Sequence, residues 1–209
     1  MKTFLFQGDS ITDADRSRNN DDMLGCGYAT IAAGMLMSKY PGEIRCINRG
    51  ISGDRSINLL ARIKVDFINL KPDYISILIG VNDAWHDTNI ENPNGVCVEN
   101  YEEYLDMLIS KLKKALPDTK IFILEPFLLK GSATTEKWNY FNNEVLLRAK
   151  VAKAIAEKYG LPFVPLQEML DKACEKAPAE WWLLDGVHPS VAGHTLIAKE
   201  LVKVVEVNL

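Results

Sequence analysis

Short apolar segments alternate along this chain with longer segments of helical periodicity, and this alternation restricts the possible folds most strongly. The short segments occupy residues 3–6, 44–47, 74–79, 121–124 and 163–164. They are apolar at successive positions and are mostly closed by glycine, proline or polar residues, as is typical of strands buried on both faces. The order βαβαβαβα predicts a parallel sheet covered by helices on both faces.

Apolar residues recur at helical spacings between and after these strands. The predicted helical segments cover residues 60–70, 101–112, 145–159 and 191–205. Asn100 and Glu103 predict a capping box at the start of the second of them. The polar segment 13–22 has the character of an extended surface loop or lid.

Length and charge restrict the class of protein. The 209 residues contain no linker, internal repeat or block of like charge, so one domain over residues 1–209 is expected. A net charge of −4 argues against a nucleic-acid partner, which would require clustered positive charge. No apolar run approaches the roughly eighteen residues of a membrane span, so no membrane partner is expected. The first residues do not resemble a secretory signal, which predicts a cytoplasmic protein.

The four cysteines are widely separated, at Cys26, Cys46, Cys97 and Cys174. They form no Cys-x-x-Cys pair, so neither a zinc ribbon nor a redox motif is predicted. A domain of this length does not need disulfides for stability, and free thiols are expected.

Polar residues follow the predicted strands at the edge where an open α/β sheet binds its ligands. The first strand leads to Ser10, the second to glycines 50 and 53, and the third to Asn82. Asp185 stands three residues before His188, where its carboxylate can hold the imidazole Nδ1–H and fix the tautomer. A hydroxyl, a His–Asp pair, a backbone N–H and a side-chain amide on one rim are the parts of a covalent acyl-transfer site.

Four sequence blocks carry a resemblance to a known family. They are FQGDSITD (6–13), NRGISGD (48–54), IGVNDAW (79–85) and LDGVHPSVAGH (184–194). Together they resemble the signature of the SGNH hydrolases, also called the GDSL esterase/lipase family. The resemblance implies a three-layer α/β/α sandwich of flavodoxin type with a five-stranded parallel sheet.

The resemblance also implies a role for each matching residue. Ser10 matches the nucleophile, His188 the general base and Asp185 its orienting carboxylate. The oxyanion hole would consist of the Ser10 and Gly53 backbone N–H groups and the Asn82 side-chain amide. This chemistry requires neither a metal nor another cofactor.

The roles of several residues in or near the blocks are less specific. Trp85 and Trp182 are suited to packing on a sugar ring and equally to a core or subunit interface. His86 is either a substrate contact or a solvated loop residue. His194, one turn into the last helix, is predicted to be a packing residue, and Asp9 to accept backbone N–H bonds in its turn.

The resulting hypothesis is a serine esterase that forms an acyl-enzyme. The similarity is strongest to the intracellular acetylxylan-esterase-like branch, which implies a small-molecule or oligosaccharide ester substrate, acetylated xylo-oligosaccharide above all, and a homo-oligomer. A general carboxylesterase or lysophospholipase has the same blocks. Two other classes stay open: a metal-dependent hydrolase, and a non-catalytic carbohydrate-binding module that uses the tryptophans. The metal hypothesis would use Asp9, Asp83, Asp185 and His188, although no metal-ligand spacing supports it.

Overall fold

A parallel sheet forms the centre of the molecule. The computed structural model describes residues 1–88 and 91–208, so the predicted domain end at residue 209 lies outside the described residues. The strands of this part are β1 (Lys2–Gly8), β2 (Ile44–Asn48), β3 (Tyr74–Leu78), β4 (Lys120–Leu124) and β5 (Phe163–Val164). All pairings are parallel and the spatial order is β2-β1-β3-β4-β5. The predicted five-stranded parallel sheet is confirmed.

Helices cover both faces of the sheet. Their bounds are α1 (Ser10–Asp13), α2 (Tyr28–Lys39), α3 (Ser56–Ala61), α4 (Ile63–Asp66), α5 (Val81–Trp85), α6 (Val98–Ala115), α7 (Trp138–Tyr159), α8 (Gln167–Cys174), α9 (Ala179–Trp182) and α10 (Val191–Val207). A 3₁₀ turn occupies Ile68–Leu70. In β1, Phe4 and Phe6 pack in one core with α2 and α10, whereas Leu5 packs in the other core with α6. The three-layer α/β/α sandwich is therefore confirmed.

The predicted capping box is wrong. Helix α6 begins at Val98, so Asn100 and Glu103 lie inside its first turns instead of flanking its start. The segment before the helix is fixed to α5, because the Val96 N–H donates to the Asp83 carbonyl at 2.9 Å. This contact directs the chain into the helix before it reaches Asn100.

The predicted helix over residues 60–70 is interrupted. It is divided into α3, α4 and the 3₁₀ turn, with a break at Arg62. The Arg62 guanidinium donates to the Asp54 carboxylate at 2.8 Å and to the Gln7 side chain at 2.8 Å. Helical spacing does not reveal such contacts with distant residues.

Helix α2 was not predicted as a helical segment. Its sequence, YATIAAGMLMSK, is apolar or small on almost every side, so it shows no amphipathic period. The helix lies between β1 and β2 in the chain, and its buried residues, among them Tyr28, Ala32 and Leu36, pack in one core with α10. All four cysteines are free thiols, as predicted. No helix among the described residues is long and apolar enough to cross a membrane.

Candidate active site

The turn after β1 presents Ser10 at the carboxyl end of the sheet. Asp9 caps α1, because its carboxylate accepts the Ile11 N–H at 3.0 Å. Gly8 permits the close approach of β3, since a Cβ at this position would lie 2.3 Å from the Leu78 carbonyl oxygen. Burial raises the pKa of the Asp9 carboxyl to about 7. Asp9 therefore lies beneath the turn as a structural residue, and Ser10 is the residue that faces outward.

Ser10, His188 and Asp185 form a continuous hydrogen-bonded series. The Ser10 Oγ lies 3.0 Å from His188 Nε2, and His188 Nδ1 lies 2.7 Å from Asp185 Oδ2. The other carboxylate oxygen accepts the N–H groups of Val187 and His188, at 2.9 and 2.8 Å. Partial burial favours a higher pKa for Asp185, but the hydrogen bonds from the His188 ring and the two N–H groups outweigh it and hold the pKa below its usual value. Asp185 can therefore fix the ring so that Nε2 faces the hydroxyl.

Gly53 occupies the third position of a β-turn over residues 51–54. The Asp54 N–H donates to the Ile51 carbonyl at 3.1 Å, and Gly53 has φ of +83°. A type II turn requires a positive φ at this position, which explains the glycine. Within residues 1–88 and 91–208 the Gly53 N–H has no hydrogen-bond acceptor, so it can donate to a ligand.

Asn82 lies in the first turn of α5, after β3. Its Nδ2 donates one hydrogen to the Asp54 carbonyl at 3.1 Å. That bond orients the amide and leaves its second hydrogen for a ligand, in a side chain that is only 8% exposed. Asn82 and Gly53 are thus joined through Asp54, the residue that follows Gly53.

A pocket of about 380 Å³ opens beside Ser10 and His188. Its wall includes the side chains of Asp15, Cys26 and Ser52. A larger cavity, of about 720 Å³, lies between α8, α9 and α10, and Ser10 does not line it. A substrate in the smaller pocket would lie beside Ser10 and His188, whereas one in the larger cavity would not.

The structure separates the three residues predicted to contact substrate. The ring of Trp85 packs against the His188 ring, with centroids 6.1 Å apart, and against Phe141. His86 is half-buried next to Trp85, and burial together with the charge of Arg55 lowers its pKa. Trp182 lines the larger cavity instead of the Ser10 pocket, and its Nε1 donates to the Ala177 carbonyl at 3.2 Å.

His194 is buried against Tyr28, in agreement with its predicted packing role. Its Nδ1 accepts the Tyr28 N–H at 3.0 Å, and the two rings lie nearly parallel, 22° apart. Burial, with a smaller contribution from nearby His188, lowers the pKa of His194 to about 4. The edge of this neutral ring also lines the Ser10 pocket.

The segment 13–22 is only partly the surface loop that the sequence predicts, because Asp13 and Arg16 are buried. The Asp13 carboxylate accepts the Ser52 N–H at 2.9 Å, and Arg16 Nε donates to the Gly50 carbonyl at 2.7 Å. These contacts hold the turn that carries Gly53. Asp13 belongs to a recognisable block, but no sequence signal identifies Arg16.

Of the residues in the metal hypothesis, only Asp185 and His188 contact each other in the hydrogen bonds of the described residues. Asp9 accepts the Ile11 N–H, Asp83 accepts bonds from Ser56, and Asp185 accepts bonds from the His188 turn. Across the described residues, no group of three or more His, Cys, Asp or Glu side chains is arranged to hold a metal ion.

Comparisons with known proteins show the family to which the chain belongs. The model of the GDSL-like lipase/acylhydrolase family matches residues 6–196. The acetylxylan esterase of Geobacillus stearothermophilus is 34% identical over 206 residues, which are 95% of this chain and 91% of that protein. The isoamyl acetate-hydrolyzing esterase of Saccharomyces cerevisiae is 26% identical over 97% of this chain and 85% of that protein.

Solved structures of similar proteins show the same fold. A crystal structure described as a GDSL-like lipase from Parabacteroides merdae superimposes with a TM-score of 0.92 at 37% identity and covers 98% of this chain and 95% of its own. The acetylxylan esterase from Geobacillus stearothermophilus superimposes with a TM-score of 0.87 at 32% identity and covers 98% of this chain and 94% of its own. Variants of that enzyme described as catalytic mutants replace a serine, an aspartate and a histidine by alanine, and the aspartate stands three positions before the histidine. This chain belongs to the GDSL-like lipase/acylhydrolase family and is a carboxylic ester hydrolase.

Proposed function

We propose that this protein removes acetyl groups from xylo-oligosaccharides or related sugars through an acyl-enzyme on Ser10. The observation that carries the proposal is the hydrogen-bonded series from the Ser10 hydroxyl through the His188 ring to the Asp185 carboxylate. Asp185 and His188 have the same separation as the aspartate and histidine altered in the catalytic mutants of the acetylxylan esterase.

In the proposed mechanism, His188 Nε2 accepts the Ser10 proton as Oγ attacks the ester carbonyl. The N–H groups of Ser10 and Gly53 and the Asn82 amide stabilise the negative charge on the carbonyl oxygen. His188 then protonates the leaving alcohol, and water hydrolyses the acetyl-enzyme by the reverse sequence. Each step uses only protein groups and water.

The polar wall of the pocket supports a sugar acetate as the substrate. The Asp15 carboxylate has no hydrogen bond or ion pair within the described chain and is therefore available to a sugar hydroxyl. Ala14 and Asp15 both have left-handed backbones, with φ of 39° and 59°. Gly25 and Gly27 pack closely against Ala14, since a Cβ on either would lie within 3 Å of it. Backbone strain held by close packing is frequent at ligand sites.

We also keep the homo-oligomer as part of the proposal. The support is a group of exposed apolar side chains, Trp181, Leu184 and Val191, that are 62%, 63% and 77% exposed. The residues around them form one folded segment, because the Ser190 hydroxyl donates to the Trp181 carbonyl at 2.6 Å. Such side chains are suited to an interface between copies. Light scattering coupled to gel filtration tests this directly, and a monomeric mass would refute it.

A panel of esters tests the substrate proposal. We expect higher kcat/KM for acetylated xylo-oligosaccharide and p-nitrophenyl acetate than for p-nitrophenyl butyrate and octanoate. Mass spectrometry after rapid quenching should find an acetyl group on the Ser10 peptide. Ser10→Ala should abolish both signals, and Ser38→Ala, which alters an exposed serine bonded to the Met35 carbonyl, should change neither. Preference for octanoate would instead favour a general carboxylesterase or lysophospholipase.

A further inference from the structure

Asp83 is a completely buried carboxylate that the proposed mechanism does not use. It follows Asn82 in α5. Its carboxylate accepts hydrogen bonds from Ser56, the first residue of α3. The Ser56 N–H lies 3.1 and 3.2 Å from the two carboxylate oxygens, and the Ser56 hydroxyl lies 2.5 Å from Oδ1. Ser56 is itself 1% exposed. A carboxylate is costly to bury, so this contact needs an explanation.

The Asp83–Ser56 contact is the second of two links between the same pair of segments. The first is the bond from the Asn82 amide to the Asp54 carbonyl. Together they join two successive residues of α5 to the chain directly after Gly53. The two candidate oxyanion donors therefore lie on segments that are linked both at Asp54 and at Ser56.

The other side of α5 is also fixed. The Val96 N–H donates to the Asp83 carbonyl, and the buried Arg148 guanidinium of α7 donates to the Val96 carbonyl. Arg148 is 0% exposed and also bonds to the Glu144 carboxylate at 2.8 Å. Asp83 thus connects the segment after the Gly53 turn, through Val96, to Arg148 of α7. Burial raises the pKa of Asp83 to about 6, opposed by the bonds from Ser56 and the charge of Arg148.

We propose that Asp83 is a positioning residue for ester hydrolysis, because its carboxylate holds residues 53–56 against α5 and keeps the Gly53 N–H and the Asn82 amide directed at one oxyanion. The inference rests on the proposed function, which assigns those two donors. Donors of this kind act only when they are preorganised at the position where the charge develops. A misplacement of about 1 Å can cost on the order of 10²-fold in rate.

A double-mutant cycle on p-nitrophenyl acetate hydrolysis tests the inference. We expect Asp83→Asn and Ser56→Ala each to lower kcat by about 10-fold with KM within about 2-fold, because the donors serve the transition state rather than ground-state binding. In an Asn82→Ala background the same changes should cost less than about 3-fold, since one of the two donors that they position is already absent. Ser76→Ala is the matched control, because it removes the hydroxyl of another buried serine, in β3, and should leave kcat unchanged.

The outcomes separate this inference from the proposed function. If Asn82→Ala lowers kcat but Asp83→Asn and Ser56→Ala do not, Asp83 has no positioning role and the proposed oxyanion hole stands. Equal fold losses in the wild-type and Asn82→Ala backgrounds would also overturn the inference, because they indicate independent effects. If Asn82→Ala leaves kcat unchanged, both the oxyanion assignment and the inference fail. Should Asp83→Asn not fold, the Ser56→Ala cycle alone decides.

Discussion

His194 should make the stability of this protein depend on pH in a way that follows from its surroundings. The ring is 8% exposed, and Nδ1 must keep its lone pair to accept the Tyr28 N–H. Burial first, and the neighbouring His188 second, lower its pKa to about 4, against 6.5 for an ordinary histidine. Protonation of the folded protein would break the bond to Tyr28 and bury a charge.

The sign and size of the effect follow from proton linkage. Between pH 6.5 and 4 the unfolded chain binds a proton at His194 that the folded chain does not. The contribution to the free energy of unfolding is therefore complete above pH 6.5 and is lost as the pH falls to 4. A difference of about 2.5 pKa units at about 1.36 kcal/mol per unit gives about 3 kcal/mol.

Two buried carboxyls act in the opposite direction. The raised pKa values of Asp9, about 7, and Asp83, about 6, make the folded protein bind more protons than the unfolded chain above pH 4. They therefore stabilise the fold as the pH falls from 7 to 4, so the wild-type profile alone does not isolate His194. The difference between wild type and His194→Gln does, because both proteins retain the two carboxyls.

Urea unfolding followed by circular dichroism at several pH values from 7 to 4 measures that difference. Between these limits the wild type should lose about 3 kcal/mol more of its free energy of unfolding than His194→Gln. The glutamine is chosen because its amide oxygen can accept the Tyr28 N–H at every pH. Parallel profiles of the two proteins would refute the reasoning, since they would mean that His194 titrates alike in the folded and unfolded chains.

Three further changes have defined outcomes. Asp185→Asn should lower kcat on the order of 10⁴-fold in stopped-flow assays without unfolding the protein, because the amide would face His188 Nδ1 with a hydrogen and leave Nε2 unable to accept the Ser10 proton. Ala14→Gly should raise the free energy of unfolding by about 0.5–1 kcal/mol in urea titrations, since relief of a left-handed alanine exceeds the entropy cost of glycine; a lower value would mean that the segment is unstrained. Asp15→Ala should reduce kcat/KM for acetylated xylo-oligosaccharide but not for p-nitrophenyl acetate, because the latter has no sugar hydroxyl. Equal losses on both substrates would exclude a contact between Asp15 and the sugar.

The sheet could be predicted from the sequence because each strand is apolar on both faces and differs sharply from its flanking residues. Helices were harder to predict wherever tertiary contacts, rather than periodicity, determine them. Helix α2 has apolar or small residues on its exposed face as well, such as Met35 and Met37, and therefore shows no polar stripe. The break at Arg62 coincides with its contacts with Asp54 and Gln7, and Gln7 lies in β1, 55 residues earlier in the chain.

In the candidate site, too, contacts between residues that are close in sequence could be predicted more easily than contacts between distant residues. Asp185 and His188 are three residues apart, so their contact can be inferred from the local sequence. Ser10 is 178 residues from His188. Their contact could be predicted only from the parallel topology and from the family blocks. The contact of Asp13 with Ser52 joins the end of α1 to the turn after β2 and has no periodic signal.

The polar residues of the family blocks fall into two groups by what they contact. Ser10 and His188 face the pocket, whereas Asn48 is buried and its side chain bonds to backbone groups of neighbouring segments. Its amide donates to the carbonyls of Thr12 and Leu24 at 2.6 and 2.8 Å, and its oxygen accepts the Gly50 N–H at 2.8 Å. Contacts of this kind set the position of one loop relative to the next without contributing to the sheet. Loss of the Asn48 amide would leave the Thr12 and Leu24 carbonyls and the Gly50 N–H without this partner, so it would weaken the connection between the segments that carry Ser10 and Gly53.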